Sequence, residues 1–176
     1  GFIETLAGRL RLLLESHTDV GRCEGIGLVV PGMVDHTGSF ITFAPRLGWR
    51  DFPLRDLLAR ATGLPVHIEN SGRACALSQF WGLRDAAGPG RDFVFLSVSD
   101  GLGVGVVVNG EVVRGRHNVA GEFGHTPLDI HGGPPCACGA RGCWEAYVSN
   151  IATLSRYFGR EISPSRPIPP EIASFT

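Results

Sequence analysis

Residues 121–145 read GEFGHTPLDIHGGPPCACGARGCWE, and within them Cys136, Cys138 and Cys143 stand in a C-x-C-x4-C array. No helix or strand separates cysteines spaced so closely, so the segment must be an irregular loop whose thiols meet. A single cysteine is usually only a small apolar side chain; three in one Gly-rich loop, with Gly139 and Gly142 freeing the backbone between them, need another reason. Three thiolates and one imidazole satisfy a tetrahedral zinc ion, which prefers sulfur and nitrogen ligands. Four protein ligands make a closed, structural site that shapes the loop and leaves no position for an activated water. The nitrogen would come from His125 or His131. His131 is nearer in sequence, while His125 ends G-E-F-G-H, where flanking glycines let the backbone fold tightly against something else. Cys23 and Cys75 sit in a strand and a helix pattern, and both read as core.

The rest of the chain narrows the setting. Its 176 residues are 43% hydrophobic, with 16 basic and 17 acidic side chains, a net charge of −1. That suits one good core or two small lobes. The arginines are scattered among acids, so no electrostatic footprint for nucleic acid is present. No apolar run reaches the roughly 18 residues of a membrane span, and no signal peptide opens the sequence. Five cysteines, three of them clustered, fit a metal site in a reducing compartment better than a secreted disulfide framework, which points to the cytoplasm. The chain begins at Gly1 without a methionine and reads as a piece of a longer protein.

Ile3, Leu6, Leu10, Leu13 and Leu14 recur at spacings of three and four, which predicts an amphipathic helix over 3–16. GIGLVV (25–30) is a strand ending in the turn signal Pro31-Gly32, and Met33 to Phe43 reads as an extended return through Gly38. Leu54, Leu57, Leu58 and Ala61 give a helix capped by Gly63. PVHIE (65–69) is a strand, and 71–81 is a helix marked by Ala74, Leu77, Phe80 and Trp81. This alternation predicts an α/β lobe with a partly parallel sheet. After the turn-rich AAGPGR at 86–91 come strands joined by tight turns, with Asn109-Gly110 the strongest hairpin signal. Tyr147, Ile151, Leu154 and Phe158 predict a helix that stops at Gly159, and the prolines of ISPSRPIPP cannot continue it.

AGEFGH followed by a C-x-CG-x2-GC-x-E loop resembles the signature of the ROK family of repressors, open reading frames and sugar kinases. The resemblance extends along the chain. VVPGMVD is similar to the family's P-G-x-V-D turn, RLGWRDFPLRDLL to its N-L-x-W segment with a following P-L, and PVHIENSGRACAL to its E-N-D-A-N segment. SVSDGLGVGVVVNGEVVRG resembles its second phosphate loop and hairpin. The resemblance implies an α/β, actin-like (ribonuclease H-like), two-lobed ATPase and sugar-kinase fold, incomplete at the N-terminus. Residues 1–73 would belong to the smaller α/β lobe and 74–176 to the larger lobe with the zinc loop. It also implies zinc on His125, Cys136, Cys138 and Cys143, and sugar hydroxyls held by Asn70, Glu122, His125 and Glu145 with Gly32 close by. Carboxylates and an amide make directional contacts that reject analogues lacking a hydroxyl. With one ring nitrogen of His125 on zinc, the other is left as a fixed donor.

The departures from the family pattern carry the functional reading. In the kinases the Asp after the motif Asn is the general base on the attacking sugar hydroxyl, and here that position is Ser71. The family's second Asn is Arg73. Where the kinases read G-T-G-I-G-G-G, this chain has Leu102 in place of the hydroxyl and Val106 in place of a glycine that lets backbone approach phosphate. All these changes lie on the phosphoryl-transfer side, so no catalytic residue is assigned. The expectation is the sugar-binding effector domain of a ROK-type transcriptional regulator, a repressor, with kinase activity lost. A sugar would enter between the lobes and change their angle, acting on operator DNA through a winged helix expected upstream and absent from this chain. Homo-oligomers and no membrane contact are expected. The alternative is a glucokinase-like hexose kinase using ATP and Mg2+. A third reading, a zinc-bearing scaffold without ligand, leaves Glu122, His125 and Glu145 unexplained.

Overall fold

The apolar stripe of residues 3–16 forms helix α1, Phe2–Ser16, in a computed structural model that describes residues 1–17, 21–82 and 92–162. Ile3, Leu6 and Leu10 pack on the core, whereas Leu13 and Leu14 run past its edge and stay 54% and 38% exposed. Strand β1, Ile26–Val30, follows, then β2, Met33–Val34, β3, Ile41–Ala44, and β4, Trp49–Phe52. Helix α2, Leu54–Thr62, ends where Gly63 turns left-handed at φ 74° and its N–H reaches Ala59 O at 2.8 Å, the cap that the glycine predicts. Strand β5, Val66–Asn70, runs straight into helix α3, Ser71–Gly82.

The predicted parallel pairing is present: β1 and β5 align from Ile26 opposite Val66 to Val30 opposite Asn70. Between them in sequence, β2, β3 and β4 form an antiparallel meander in that order. The sequence reading did not find β4. Its WRDF lacks alternation, and Trp49 and Phe52 serve instead as a stacked aromatic pair with centroids 4.7 Å apart. Ile41, Leu54 and Leu58 are fully buried with Val30, Val34, Ala44 and Ile68, each large side chain contributing roughly 1.5–3 kcal/mol.

Helix α3 buries a different face from the expected one. Gly72, Arg73 and Ala76 point inward, while Trp81 is 61% exposed and Phe80 only half-buried. The reason is a close crossing: a Cβ on Gly105 would lie 2.4 Å from Ala76 Cβ and 2.5 Å from Gly72 O. Small residues on both sides let strand and helix meet there. Cys23 also departs from its reading, since it lies in coil before β1, and both Cys23 and Cys75 are half-buried, not core.

Strands β6, Phe93–Val98, β7, Leu102–Val108, and β8, Glu111–Val112, make a sheet in that order. Asn109 and Gly110 take φ of 53° and 76°, as a two-residue hairpin turn requires, so Val108 pairs Glu111. The helix expected around 147–158 is two: α4, Glu145–Val148, and α5, Asn150–Phe158. Ser149, extended at ψ 159°, interrupts it because its hydroxyl caps α5 by accepting from the Ala152 N–H. The chain divides into two compact units, Gly1–Phe95 with Gly105–Gly121, and Leu96–Val104 with the chain from Glu122 onward. The AAGPGR break and nearly all of the proline-rich tail lie outside the described residues. Among those described, no helix is long and apolar enough to cross a membrane.

Candidate metal centre and polar cluster

In the second unit, the loop after Glu122 is built by tight turns. The Cys136 N–H donates to Ala140 O at 2.9 Å and the Gly139 N–H returns to Cys136 O at 3.0 Å, so a single turn folds Cys138 back beside Cys136. Gly142 permits the other side: at φ 72°, a Cβ there would sit 2.1 Å from Asp129 O. Its carbonyl instead accepts from the Leu128 N–H at 2.7 Å, which holds Cys143 against Pro127.

These turns bring the ligand atoms of His125, Cys136, Cys138 and Cys143 within 4.8 Å of one another. Cys138 Sγ and Cys143 Sγ are 3.8 Å apart, and Cys136 Sγ lies 3.6 Å from His125 Nδ1. A tetrahedral ion with metal–sulfur bonds of about 2.3 Å and metal–nitrogen bonds of about 2.05 Å demands edges of about 3.8 Å and about 3.6 Å. The four residues therefore fit a metal ion. His131, the other candidate, is exposed and outside the cluster; its backbone N–H caps Asp129 at 2.9 Å. Burial, then hydrogen bonding with and repulsion by Cys138, push the Cys136 thiol up to about 12 against a backbone bond that lowers it. Cys143 is raised too, again first by burial. A coordinated cation is what draws the protons from such thiols.

Two of the segments that carry the expected sugar residues of this unit meet at Leu102, through Gly124 and Glu145. A short 3-10 turn, Glu122–His125, sets Glu122 Oε2 3.8 Å from His125 Nε2, the ring nitrogen turned away from the cysteines. Gly124 packs so closely on Leu102 that a Cβ would meet its carbonyl at 2.6 Å. The buried Glu145, two residues past Cys143, accepts from the Leu102 N–H at 2.9 Å. The turn before Leu102 is tied down as well, Ser99 O accepting from the Asn150 N–H at 2.8 Å. Leu102 and Val104 are buried side chains of β7, where a phosphate loop was the expected resemblance.

In the first unit, Asn70 and Gly32 do meet: Asn70 Nδ2 donates to Gly32 O at 2.8 Å. Gly32, at φ 97°, admits no side chain, since a Cβ would lie 2.5 Å from Phe43 O. Asn70 Oδ1 caps α3 by accepting from the Arg73 N–H at 3.2 Å. Ser71, half-buried, is the first residue of that helix. Around it lies a cluster that sequence reasoning missed. Arg73, 1% exposed, donates from Nε to Glu69 Oε1 and from Nη1 to Asn118 O, each at 2.8 Å. Arg114 pairs with Glu69 Oε2 at 2.5 Å. Burial acts to raise the Glu69 pKa, but the bonds from Arg73, the Asn70 amide and Arg114 together lower it. Asn118, held at φ 58°, donates from Nδ2 to Val34 O and Asp35 O. Only the i,i+4 spacing of Glu69 and Arg73 was a legible signal for this network.

The model of the ROK family matches residues 3–167. The chain is 39% identical over 125 residues to a glucokinase of Halalkalibacterium halodurans, covering 71% of this chain and 37% of that protein. It is equally 39% identical, over 130 residues, to a xylose repressor of Bacillus spizizenii, covering 74% of this chain and 33% of the repressor. Among solved structures, the ROK family glucokinase of Streptomyces griseus in complex with glucose and AMPPNP superimposes with a TM-score of 0.72 at 34% identity, over 88% of this chain and 48% of that one. The chain thus spans about a third of the length of the curated relatives it matches, and its fold is the actin-like α/β fold of these proteins.

Proposed function

The chain belongs to the ROK family, and from that premise we propose that it is the sugar-binding effector part of a transcriptional regulator that has lost kinase activity. The observation that carries this reading is the first turn of α3, which begins at Ser71 and contains no acidic side chain. Phosphoryl transfer to a sugar needs a carboxylate to take the proton of the attacking hydroxyl, and a serine cannot accept it near neutral pH. Leu102, buried where the kinases carry a hydroxyl, and Val106, in place of a glycine that lets backbone approach phosphate, support the same reading.

The sugar contacts we assign are Glu122, His125 and Glu145 in the second unit and Asn70, with Gly32, in the first. Glu122 and Glu145 are acceptors for hydroxyl donors, and the Asn70 amide supplies both polarities. A zinc ion on His125, Cys136, Cys138 and Cys143 would be structural. Bound there, it would hold the His125 ring in place and leave the other ring nitrogen as a hydrogen-bond donor beside Glu122. Free thiols suit the reducing cytoplasm. Sugar binding changes DNA occupancy only if it favours one arrangement of the protein over another; contact with operator DNA would belong to a segment outside this chain, and homo-oligomers are part of the same reading.

Titration calorimetry against hexoses and N-acetylhexosamines tests the proposal: binding should appear and Glu122→Ala should abolish it. A silent panel would leave only a metal-bearing scaffold. The kinase reading draws support from the glucokinase relatives. ATP turnover with a hexose at about 1–100 per second, the usual range for kinases, would overturn the regulator in its favour.

A further inference from the structure

Arg73 is the largest fully buried side chain of the described residues, and its Nη2 has no hydrogen-bond partner among them. A buried guanidinium with an unmet donor is a poor way to gain stability, since an apolar side chain of similar volume often does as well or better. What the arginine supplies is reach. From the first turn of α3 its Nε meets Glu69 Oε1 on β5 and its Nη1 meets Asn118 O on the loop after β8, each at 2.8 Å. The family pattern has an asparagine at this position, so the reach belongs to this chain.

Bond by bond, the contacts close a ring within the first unit. Asn70 Nδ2 donates to Gly32 O at 2.8 Å, and two residues along the chain Val34 O accepts from Asn118 Nδ2 at 2.9 Å. Asn118 O accepts from Arg73 Nη1, and the Arg73 N–H returns to Asn70 Oδ1 at 3.2 Å. Two further bonds brace it. Asn118 Nδ2 also reaches Asp35 O at 3.0 Å, and Glu69 Oε1, which holds Arg73 Nε, accepts the Asn70 N–H at 2.8 Å. A carbonyl only accepts and a backbone N–H only donates, so the Asn70 amide cannot turn over without losing both of its bonds. The ring therefore sets the oxygen toward the helix and the nitrogen toward Gly32. One Nδ2 hydrogen and one Oδ1 lone pair remain beyond these bonds.

We propose that Arg73 and Asn118 are positioning residues for the sugar contact at Asn70: by closing the ring they hold its amide so that the remaining donor and acceptor meet sugar hydroxyls in a set order. This rests on the sugar-binding reading for the ligand, while the ring's hold on Asn70 is tested without one. A freely turning amide offers either polarity in either place and discriminates little. A fixed one rejects a sugar whose hydroxyl is missing or inverted, because a polar group is then left unpaired.

The test compares the full chain with Asn118→Gly and Arg73→Met. Glycine tolerates φ 58° and keeps the carbonyl that Arg73 reaches, so only the bonds to Val34 O and Asp35 O are lost. Methionine fills much of the buried volume without the guanidinium; if it fails to fold, Asn118→Gly carries the test. In nuclear magnetic resonance of the ligand-free protein, the Asn70 side-chain amide hydrogens should exchange with solvent faster in each variant. In calorimetry against glucose, mannose, galactose and N-acetylglucosamine, the best sugar should bind about 10- to 100-fold more weakly, the usual loss when the partners that orient a binding group are removed, and the spread of affinities across the panel should narrow. A purely structural arginine would instead lower the urea midpoint and leave the affinities of the folded protein alone. Unchanged Asn70 exchange overturns the proposal whatever the affinities do. Faster exchange with unaltered affinities overturns the positioning role and leaves the ring a structural fastening. Faster exchange with no sugar bound by the unaltered chain upholds the ring's hold on Asn70 and overturns the sugar-binding reading.

Discussion

The metal centre and the arginine cluster are each polar and largely buried, yet they are assembled in opposite ways. The first draws its four ligands from residues 125–143 and positions them with backbone turns and glycines whose side-chain space is already filled. The second gathers Glu69, Arg73, Arg114 and Asn118 from distant stretches, and its parts meet only because β5, α3 and the loop after β8 pack together. The local site closes short loops at small entropic cost and, on the proposed reading, would depend on an ion. The distant one is paid for by the surrounding core and depends on every partner being present.

Removing a ligand should separate the two most sharply. Elemental analysis of reduced protein kept from chelators should find about one zinc per chain, with an apparent binding free energy on the order of 10 kcal/mol at pH 7. Cys143→Ser should abolish retention and melt the second unit, while Cys23→Ser and Cys75→Ser keep the metal. A fully loaded Cys143→Ser protein would break the assignment.

Next in size is Arg73→Ala, which leaves Glu69 only Arg114 and the Asn70 amide, strands the Asn118 carbonyl and empties buried volume, and should cost about 2–5 kcal/mol in urea unfolding. Bound zinc should be unchanged. Pairing it with Glu69→Gln sharpens the point, since the double variant should be less destabilised than the two single costs added together. Strict additivity would show that the buried pair does not act as a unit.

Gly142→Ala reverses the pattern. A methyl group 2.1 Å from Asp129 O, at φ 72°, should cost about 1–3 kcal/mol and weaken metal retention without touching the first unit. Unimpaired zinc affinity in a chelator competition would remove Gly142 from the description of the loop.

The smallest effect lies with Asp35. Burial acts to raise its pKa, but the Phe40 amide, the Thr37 hydroxyl and amide and the Ser39 amide outweigh it and hold the group at about 2 against an ordinary 3.8. The folded value is depressed, so the stability it lends is complete above about pH 4 and is lost as the pH falls toward about 2. Asp35→Asn should flatten that acid limb of a thermal-melting series, and an unchanged slope would assign the limb to other carboxylates.

This contrast also explains what could be read in advance. The metal loop, the helix capped by Gly63, the parallel pairing of β1 with β5 and the Asn109-Gly110 hairpin were legible because each depends on residues close in sequence or on simple periodicity. The buried face of α3 was misread, since Ala74, Leu77, Phe80 and Trp81 look like a stripe until Gly105 is seen against Gly72 and Ala76. The single helix expected to end at Phe158 gave way to a Ser149 cap, a hydroxyl whose choice between helix interior and N-cap is local geometry.

By itself, then, the sequence determined the elements, the thiol-rich loop and the absence of an acid at Ser71, because spacing and residue type carry that information. Which histidine joins the cysteines, where Glu145 spends its carboxylate and why Arg73 is buried were decided only by tertiary structure. Each depends on a distance between groups that the chain brings together by folding, and a hydrogen bond or a ligand sphere is defined by that distance, not by position along the chain.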